Sequence, residues 1–219
     1  MATSLRPRDA ATLVLVRRDL PEPRLLLDRR AGGHAFMPDK WVFPGGRLDR
    51  GDWNVPVAAD LAADVARQVA AAPRRAPACP QRFARALALA AVRETFEETG
   101  LLLGQPAPAR PARGAWGRFL GLGVRPDLGG LAYLARAITP PGRTRRFDAR
   151  FFLADAARLV ALDPVDSHEL SELCWLTLED ARLLDLPTVT RAVLALVERH
   201  LAGTPEPPPF WAWRRASAD

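Results

Sequence analysis

The chain has 219 residues, 48% of them hydrophobic, which is enough apolar material for a sizeable core and argues against a wholly disordered protein. Its formal charge of +6 comes almost wholly from arginine, because Lys40 is the only lysine. This permits an anionic substrate, whereas nucleic acid is not an expected partner. No apolar run approaches the roughly 20 residues that span a bilayer, so no membrane contact is expected.

The two cysteines give no sign of a disulfide framework or a zinc site. Cys79 and Cys174 lie far apart, and neither has a histidine at ligand spacing. Residues 1–9 lack the apolar core of a signal peptide. We therefore expect an unexported, cytoplasmic protein.

Three short apolar runs near the amino terminus predict strands. Ala11–Val16 and Arg24–Asp28 are separated by a turn-prone stretch and predict a hairpin. The third run, Trp41–Phe43, ends at a Pro-Gly-Gly turn, where proline stops the strand ladder. The two glycines, Gly45 and Gly46, let the backbone come close to a ligand, so Gly45 is a candidate substrate contact.

Two helices are predicted next. From Asp52 to about Ala72 apolar residues recur at steps of four, which is helical periodicity, at Val57, Leu61, Val65 and Val69. We expect this helix to pack beside a substrate cleft or a partner subunit. After an exposed, proline-rich connection at 73–80, a second helix runs from about Gln81 to Thr99, with Gly100 as its left-handed cap.

The remaining chain mixes strands and helices. Gly104–Gly130 is predicted to be loop-rich, strands are predicted at 131–138, 146–153 and 173–177, and helices at 178–184 and 188–201. This mixture predicts an α/β or α+β fold with one domain over 1–203. The tail, 204–219, carries Phe210, Trp211 and Trp213, which we expect to pack on the domain or to form a dimer contact; a homodimer therefore stays open.

Three carboxylates share one face near the end of the second predicted helix. Glu94, Glu97 and Glu98 stand at i, i+3 and i+4, where like charges repel each other at the negative end of the helix dipole. A hard divalent cation, Mg²⁺ or Mn²⁺, would compensate, and Arg93 can pair with Glu97 at i+4. The alternative is an ordinary solvated acidic face, since glutamate is a good helix former.

The sequence around these glutamates favours the metal. The segment RETFEETGL at 93–101 resembles the second half of the Nudix box, G-x5-E-x7-R-E-U-x-E-E-x-G-U, in which U is aliphatic. Gly46, five intervening residues and Asp52 resemble the first half, with aspartate in place of glutamate. Thr95 also departs from the pattern, because an aliphatic residue is usual there.

The box is interrupted. Residues 53–92 separate its two halves where the pattern has seven residues, so 33 are inserted. Together with WVFPGG at 41–46 and the segments 138–141 and 145–152, this interruption resembles the Nudix subgroup that includes a coenzyme A diphosphatase. The resemblance covers about 11–186. It implies a Nudix-type α/β/α sandwich with a mixed sheet and a helical insertion at about 53–85.

The resemblance also implies roles for the box residues. Glu97 and Glu98 would be metal ligands, and Glu94 would be a further ligand or would orient the attacking water. The Gly46 carbonyl could complete the ligand shell, and Arg93 would belong to the catalytic group. Asp52 is one methylene shorter than the usual glutamate, so we expect it to support the ligands rather than to bind the metal.

Four residues outside the box are further candidates. Glu172 lies in the region from which some Nudix proteins supply a general base. Arg29, Arg146 and Arg150 are candidate phosphate contacts, because guanidinium groups bind phosphate with paired hydrogen bonds.

The sequence leaves three functions open. The first is metal-dependent hydrolysis of a diphosphate in coenzyme A or acyl-coenzyme A. The second keeps this chemistry but acts on ADP-ribose, a dinucleotide or a nucleotide sugar. The third is a nucleotide-sensing module without catalysis, against which the intact Arg93 and carboxylates argue.

Overall fold

The computed structural model describes residues 5–29, 40–71, 78–161 and 172–212. The strands are β1 (Arg8–Arg17), β2 (Arg24–Arg29), β3 (Trp41–Val42), β4 (Gly45–Arg47), β5 (Gly104–Pro106), β6 (Val124–Pro126), β7 (Ala132–Ile138), β8 (Phe147–Asp155), β9 (Glu172–Thr177) and β10 (Phe210–Trp211). The helices are α1 (Ala63–Ala70), α2 (Pro80–Thr99), α3 (Gly114–Gly121), α4 (Leu178–Leu183) and α5 (Thr188–Leu201). Within the described ranges, each helix is too short or too polar to cross a membrane.

Strand β1 lies at the centre of a mixed sheet. It runs parallel to β8 along its length and pairs antiparallel with β2 near its carboxyl end. Near its amino end it pairs antiparallel with β4, with Ala11 opposite Gly46. From β8 the sheet continues to β7 and β10, and from β2 to β3 and β9. Strand β1 therefore anchors the glycine strand β4 to the rest of the sheet.

Helices cover both faces of this sheet. Along β1, Leu13 and Leu15 belong to the core cluster that contains α1, α2 and α3. The alternate residues, Val14 and Val16, belong to a second cluster that contains α4 and α5. Because successive side chains of a strand point to opposite faces, the β1 run is buried on both sides. The predicted α/β/α sandwich with a mixed sheet is confirmed.

Helix α2 is the most enclosed helix of the first cluster, and local sequence defines its ends. Pro80 is at its first position, where a missing N–H costs nothing. Gly100 follows the last turn with φ 72°, and its N–H bonds to the Phe96 carbonyl at 2.8 Å. Between Ala84 and Val92 only Arg85 is not buried. The predicted helix and its glycine cap are confirmed.

The helix predicted over 52–72 is wrong in extent. Residues 50–54 form a 3₁₀ turn, and the α-helix begins only at Ala63. The cause is tertiary, because Ala58 donates its N–H to the Pro126 carbonyl at 2.8 Å and Ala59 accepts from the Leu128 N–H at 2.9 Å. These bonds tie 58–59 to another segment and replace the i→i−4 bonds of a helix. Within α1, the predicted apolar residues Val65 and Val69 are buried against α2.

Two other elements differ from the sequence prediction. The region Gly104–Gly130 is not mainly loop, since it contains α3 and the paired strands β5 and β6. Because glycine has a low helix propensity and α3 contains three glycines, its sequence does not predict a helix. Its Phe119 is nevertheless fully buried. Pro44 also does not end the sheet, because its carbonyl accepts the Leu13 N–H at 3.0 Å and the chain continues into β4 against β1.

The carboxyl-terminal part of the chain adds one short strand. Strand β10 pairs in parallel with β7, and the Phe210 ring lies 4.4 Å from the Arg136 guanidinium carbon. Trp211 packs against the second core cluster as expected, whereas the Phe210 side chain stays 49% exposed. Trp213 and the connection 73–77 lie outside the described residues. The division into a domain over 1–203 and a tail stays a prediction.

Replacing Val69 by alanine tests whether the inserted helix belongs to the core. Val69 is 1% exposed and packs on α2. Its truncation should lower the free energy of unfolding by on the order of 2 kcal/mol, because it leaves a cavity. The exposed neighbour Arg67, changed to alanine, should shift it by less than about 0.5 kcal/mol. Chemical denaturation measures both, and equal stability of the two variants would contradict this packing.

Candidate active site

The glycine strand and the acidic end of α2 meet directly. The Gly45 N–H donates to Glu98 Oε2 at 2.9 Å. Gly46 lies so close to Glu94 that a Cβ built on it would be 2.3 Å from the carboxyl carbon. Position 46 therefore tolerates a side chain only if the Glu94 carboxylate moves. Two segments that are far apart in sequence thus form one site.

A buried carboxylate fixes Arg93 in this site. Asp52 is fully buried and accepts from Arg93 Nε at 2.8 Å and from Arg93 Nη2 at 3.2 Å. It also accepts the Trp116 indole N–H at 2.9 Å and the Asp49 N–H at 2.8 Å. Arg93 Nη2 in turn donates to the Arg47 carbonyl at 2.8 Å. These contacts make Asp52 the support of the guanidinium group, and its predicted role behind metal ligands stays a prediction.

The third guanidinium nitrogen of Arg93, Nη1, donates hydrogen bonds to two carboxylates of the predicted metal site. Arg93 Nη1 donates to Glu94 Oε1 at 2.9 Å and to Glu97 Oε2 at 2.5 Å. Burial lowers the pKa of Arg93, but the hydrogen bond to Asp52 and the charge of Glu94 outweigh it, so the pKa is raised and the group stays charged. One positive charge is thereby shared among three carboxylates. The group keeps an excess of negative charge.

Burial also shifts the pKa of Glu94. It raises the pKa of this carboxyl above its usual range, while the neighbouring Arg93 guanidinium acts in the opposite direction. Glu97 and Glu98 lie one turn further along and are partly exposed. All three glutamates are therefore half-buried, and the side chain of Glu94 is less exposed than that of Glu97, at 18% against 32%.

The available donor atoms suit a hard divalent cation. The candidate ligands are carboxylate and main-chain oxygens, and the last turn of the 20-residue helix contains no basic residue. Within the described ranges, no three acidic, histidine or cysteine side chains are already gathered around one point. Glu98 faces Gly45, whereas Glu94 and Glu97 face Arg93. Binding of a cation would require these side chains to rotate toward it.

Two predicted site residues lie at the end of the neighbouring strands. Arg29 is the last residue of β2, is exposed, and stands opposite Trp41 of β3 and Glu172 of β9. Glu172 is the first residue of β9, and the described structure gives only its backbone position. A phosphate contact of Arg29 and a general-base role of Glu172 stay predictions.

The other two predicted phosphate contacts have structural partners instead. Arg146 donates to the Thr139 carbonyl at 3.0 Å and to the Leu5 carbonyl at 2.8 Å. Arg150 is fully buried and donates to Asp9 Oδ1 at 2.6 Å and to the Asp148 carbonyl at 2.8 Å. A buried guanidinium joined to β1 and β8 cannot reach a substrate without rearrangement of the sheet. This geometry does not favour the phosphate contact predicted for Arg150.

Sequence reasoning missed two partners of Asp52. Trp116 is 64 positions away, on a helix that the glycine content conceals. Asp49 is closer, and with Asp52 it forms a capping box on the 3₁₀ turn. The D-x-x-D spacing of these two aspartates is a local sequence pattern that predicts the turn. No local pattern predicts the contact of Trp116 with Asp52.

Replacing Asp52 by asparagine tests the support of Arg93. The variant leaves a buried guanidinium with one carboxylate fewer, so we expect a loss on the order of 3 kcal/mol in the free energy of unfolding. Asp19 is the matched control, because it pairs with Arg17 at 2.7 Å on the surface. Asp19→Asn should leave stability almost unchanged. Thermal and urea unfolding check both, and comparable small losses would contradict the support role.

Comparison with known proteins agrees with this geometry. No protein-family model matches the chain. It is 29% identical to acyl-coenzyme A diphosphatase NUDT19 of Gallus gallus, over 77% of this chain and 60% of that protein, so it spans less than two thirds of that relative. A crystal structure of a Nudix hydrolase from Alicyclobacillus acidocaldarius superposes with a TM-score of 0.62 at 29% identity, covering 88% of this chain and 91% of that chain.

A more distant structure shares the fold. The Nudix domain of Shewanella oneidensis NrtR, in complex with ADP ribose, superposes with a TM-score of 0.51 at 13% identity, covering 90% of each chain. The box residues Arg93, Glu94, Glu97 and Glu98, their contact with the glycine strand, and these similarities agree. In sequence and in fold, the chain resembles proteins of the Nudix hydrolase superfamily.

Proposed function

We propose that this protein is a Mg²⁺- or Mn²⁺-dependent diphosphatase that hydrolyses coenzyme A or acyl-coenzyme A. The observation that carries the proposal is the sharing of one buried guanidinium among Asp52, Glu94 and Glu97, beside a glycine strand. A group with excess negative charge, built from oxygen donors, is suited to hold a divalent cation. An inert acidic surface would not need a buried arginine to organise it.

The residues would divide the work as follows. Glu97 and Glu98, with the Gly46 carbonyl, would hold the cation, which supplies positive charge against the diphosphate when bound. Glu94 would be a further ligand or would act on the attacking water. Arg93 would keep Glu94 and Glu97 in place through its Nη1 atom, and Asp52 would keep Arg93 in place. Gly45 would hold Glu98 through its N–H.

The reaction consumes one water. The water oxygen forms a bond to one phosphorus, the bridging P–O bond breaks, and the two halves leave as phosphate monoesters. The proton lost by the water needs an acceptor. Glu94 is our candidate in the arrangement in which it is not a ligand, because its side chain is less exposed than that of Glu97 and burial raises its pKa. Glu172 is the alternative acceptor.

The substrate is proposed from the relative and not from a pocket of known shape. The curated relative is described as an acyl-coenzyme A diphosphatase. Cleavage of that diphosphate would give a 4′-phosphopantetheine species and adenosine 3′,5′-bisphosphate. Such a substrate is a strong anion, which suits a chain with a formal charge of +6.

A product assay on coenzyme A, acyl-coenzyme A, ADP-ribose, a dinucleotide and a nucleotide sugar tests the proposal. With Mg²⁺ or Mn²⁺ we expect turnover of the coenzyme A species, and Glu97→Gln should lower kcat by at least about a hundredfold. The exposed helix residue Glu179, changed to glutamine, is the control and should keep full activity. Turnover of another diphosphate alone would contradict the substrate, and full activity of Glu97→Gln would contradict the site.

Replacing Gly46 by alanine tests the contact between the two halves of the site. The added methyl group must displace the Glu94 carboxylate, which is the end of a flexible side chain, so stability should change little. Activity should fall by about a hundredfold, because a displacement of about 1 Å of a catalytic group has that effect. Gly121 is the control, since a Cβ there meets no atom within 4 Å. Equal activity of both variants would show that Glu94 does not act from this position.

A further inference from the structure

A cavity of about 1010 Å³ lies where the box insertion meets the amino-terminal half of α2 and the start of α3. Its walls come from the segment 53–66, from α2 and from the loop 110–113. Nothing in the diphosphatase proposal uses this cavity. It exists because the insertion lengthens the chain between the two halves of the box.

Arginines dominate the charge of the cavity. Arg82, Arg85, Arg110 and Arg113 line it, and Asp60 is the only carboxylate among the described lining residues. Arg85 Nε lies 3.2 Å from Asp60 Oδ2, so the one negative charge is already paired. The walls therefore carry an excess of three positive charges, at the positive end of the 20-residue helix α2.

Two of these guanidinium groups are held in place by neutral acceptors. Arg82 Nη2 donates to Asn54 Oδ1 at 2.6 Å, and Arg85 Nη2 donates to the Val55 carbonyl at 2.9 Å. The neutral partner of Arg82 holds its guanidinium group without cancelling its charge, whereas the charge of Arg85 is offset by Asp60. Arg110 and Arg113 line the same cavity from the loop before α3 and are exposed. This arrangement fits an anionic group with several oxygen atoms, above all a phosphate.

The remaining wall suits an aromatic or apolar group. Trp53 lines the cavity and is braced by Phe83, with ring centroids 6.1 Å apart. Trp116, Val55 and Leu61 add apolar surface. An indole beside guanidinium groups can stack a planar base while the guanidinium groups bind its phosphate.

The cavity arginines of α2 lie on the other side of the helix from Glu94, although Trp116, which lines the cavity, also donates to Asp52. Arg85 and Glu94 are nine residues apart on α2, which is about 14 Å along the axis and about half a turn in direction. The two side chains therefore leave opposite sides of a buried helix. A ligand in the cavity can bind without competing for the carboxylates.

We propose that this cavity is a second ligand site, which binds a nucleoside phosphate with its phosphate on the arginines and its base on the wall around Trp53. The site does not depend on a divalent cation, because its positive charge is built into the chain. It also does not depend on the diphosphatase activity.

Isothermal titration of the full chain with adenosine monophosphate in EDTA tests this site. The variant Arg110→Ala/Arg113→Ala should weaken binding at least tenfold, since both residues lie outside the carboxylate site. The matched control, Arg145→Ala/Arg191→Ala, removes two exposed arginines elsewhere and should bind as the wild type does. The variant Glu97→Gln should also bind normally, and inorganic phosphate should bind more weakly than the nucleotide.

Three results would overturn the proposal. Binding that is absent in EDTA, or lost in Glu97→Gln, would assign the nucleotide to the carboxylate site. If both double arginine variants weakened nucleotide binding equally, the loss would reflect the net charge of the chain and not this cavity. Phosphate binding as tight as that of the nucleotide would remove the role of the aromatic wall.

Discussion

The arrangement of the site depends on the burial of Arg93. A guanidinium removed from water must be hydrogen-bonded and paired, and here its nitrogens reach Asp52, Glu94, Glu97 and the Arg47 carbonyl. These partners come from the glycine strand, the 3₁₀ turn and α2. One buried cation thus fixes three segments relative to each other, and it orients carboxylates that would otherwise repel one another.

This constraint explains how the fold tolerates a long interruption of the box. Asp52 and Arg93 remain in contact although residues 53–92 separate them. The insertion leaves the contact intact because it folds as α1 and the first half of α2, whose apolar residues join the core cluster of the domain. Trp116 of α3 also contacts this group, because its indole N–H donates to Asp52. The space enclosed by these additions is the arginine-lined cavity.

Sequence reasoning succeeded where the signal is local and failed where it is tertiary. The end of α2 follows from Gly100, and the Arg93–Glu97 pair follows from i+4 spacing. The true start of α1 and the bond of Trp116 to Asp52 depend on segments distant in sequence, which no local pattern encodes. The burial of Arg150 also depends on tertiary contacts. An arginine in a strand is expected to be exposed, and only the structure shows that Asp9 and Asp148 pair with it.

The central claim is that the end of α2 binds a divalent cation through its glutamates. Electron paramagnetic resonance of free Mn²⁺ measures this directly, because protein-bound Mn²⁺ leaves the free signal. The account predicts that the wild-type chain removes Mn²⁺ from solution in stoichiometric amounts and that Glu97→Gln/Glu98→Gln does not. Identical titrations of a folded double variant and the wild type would contradict it.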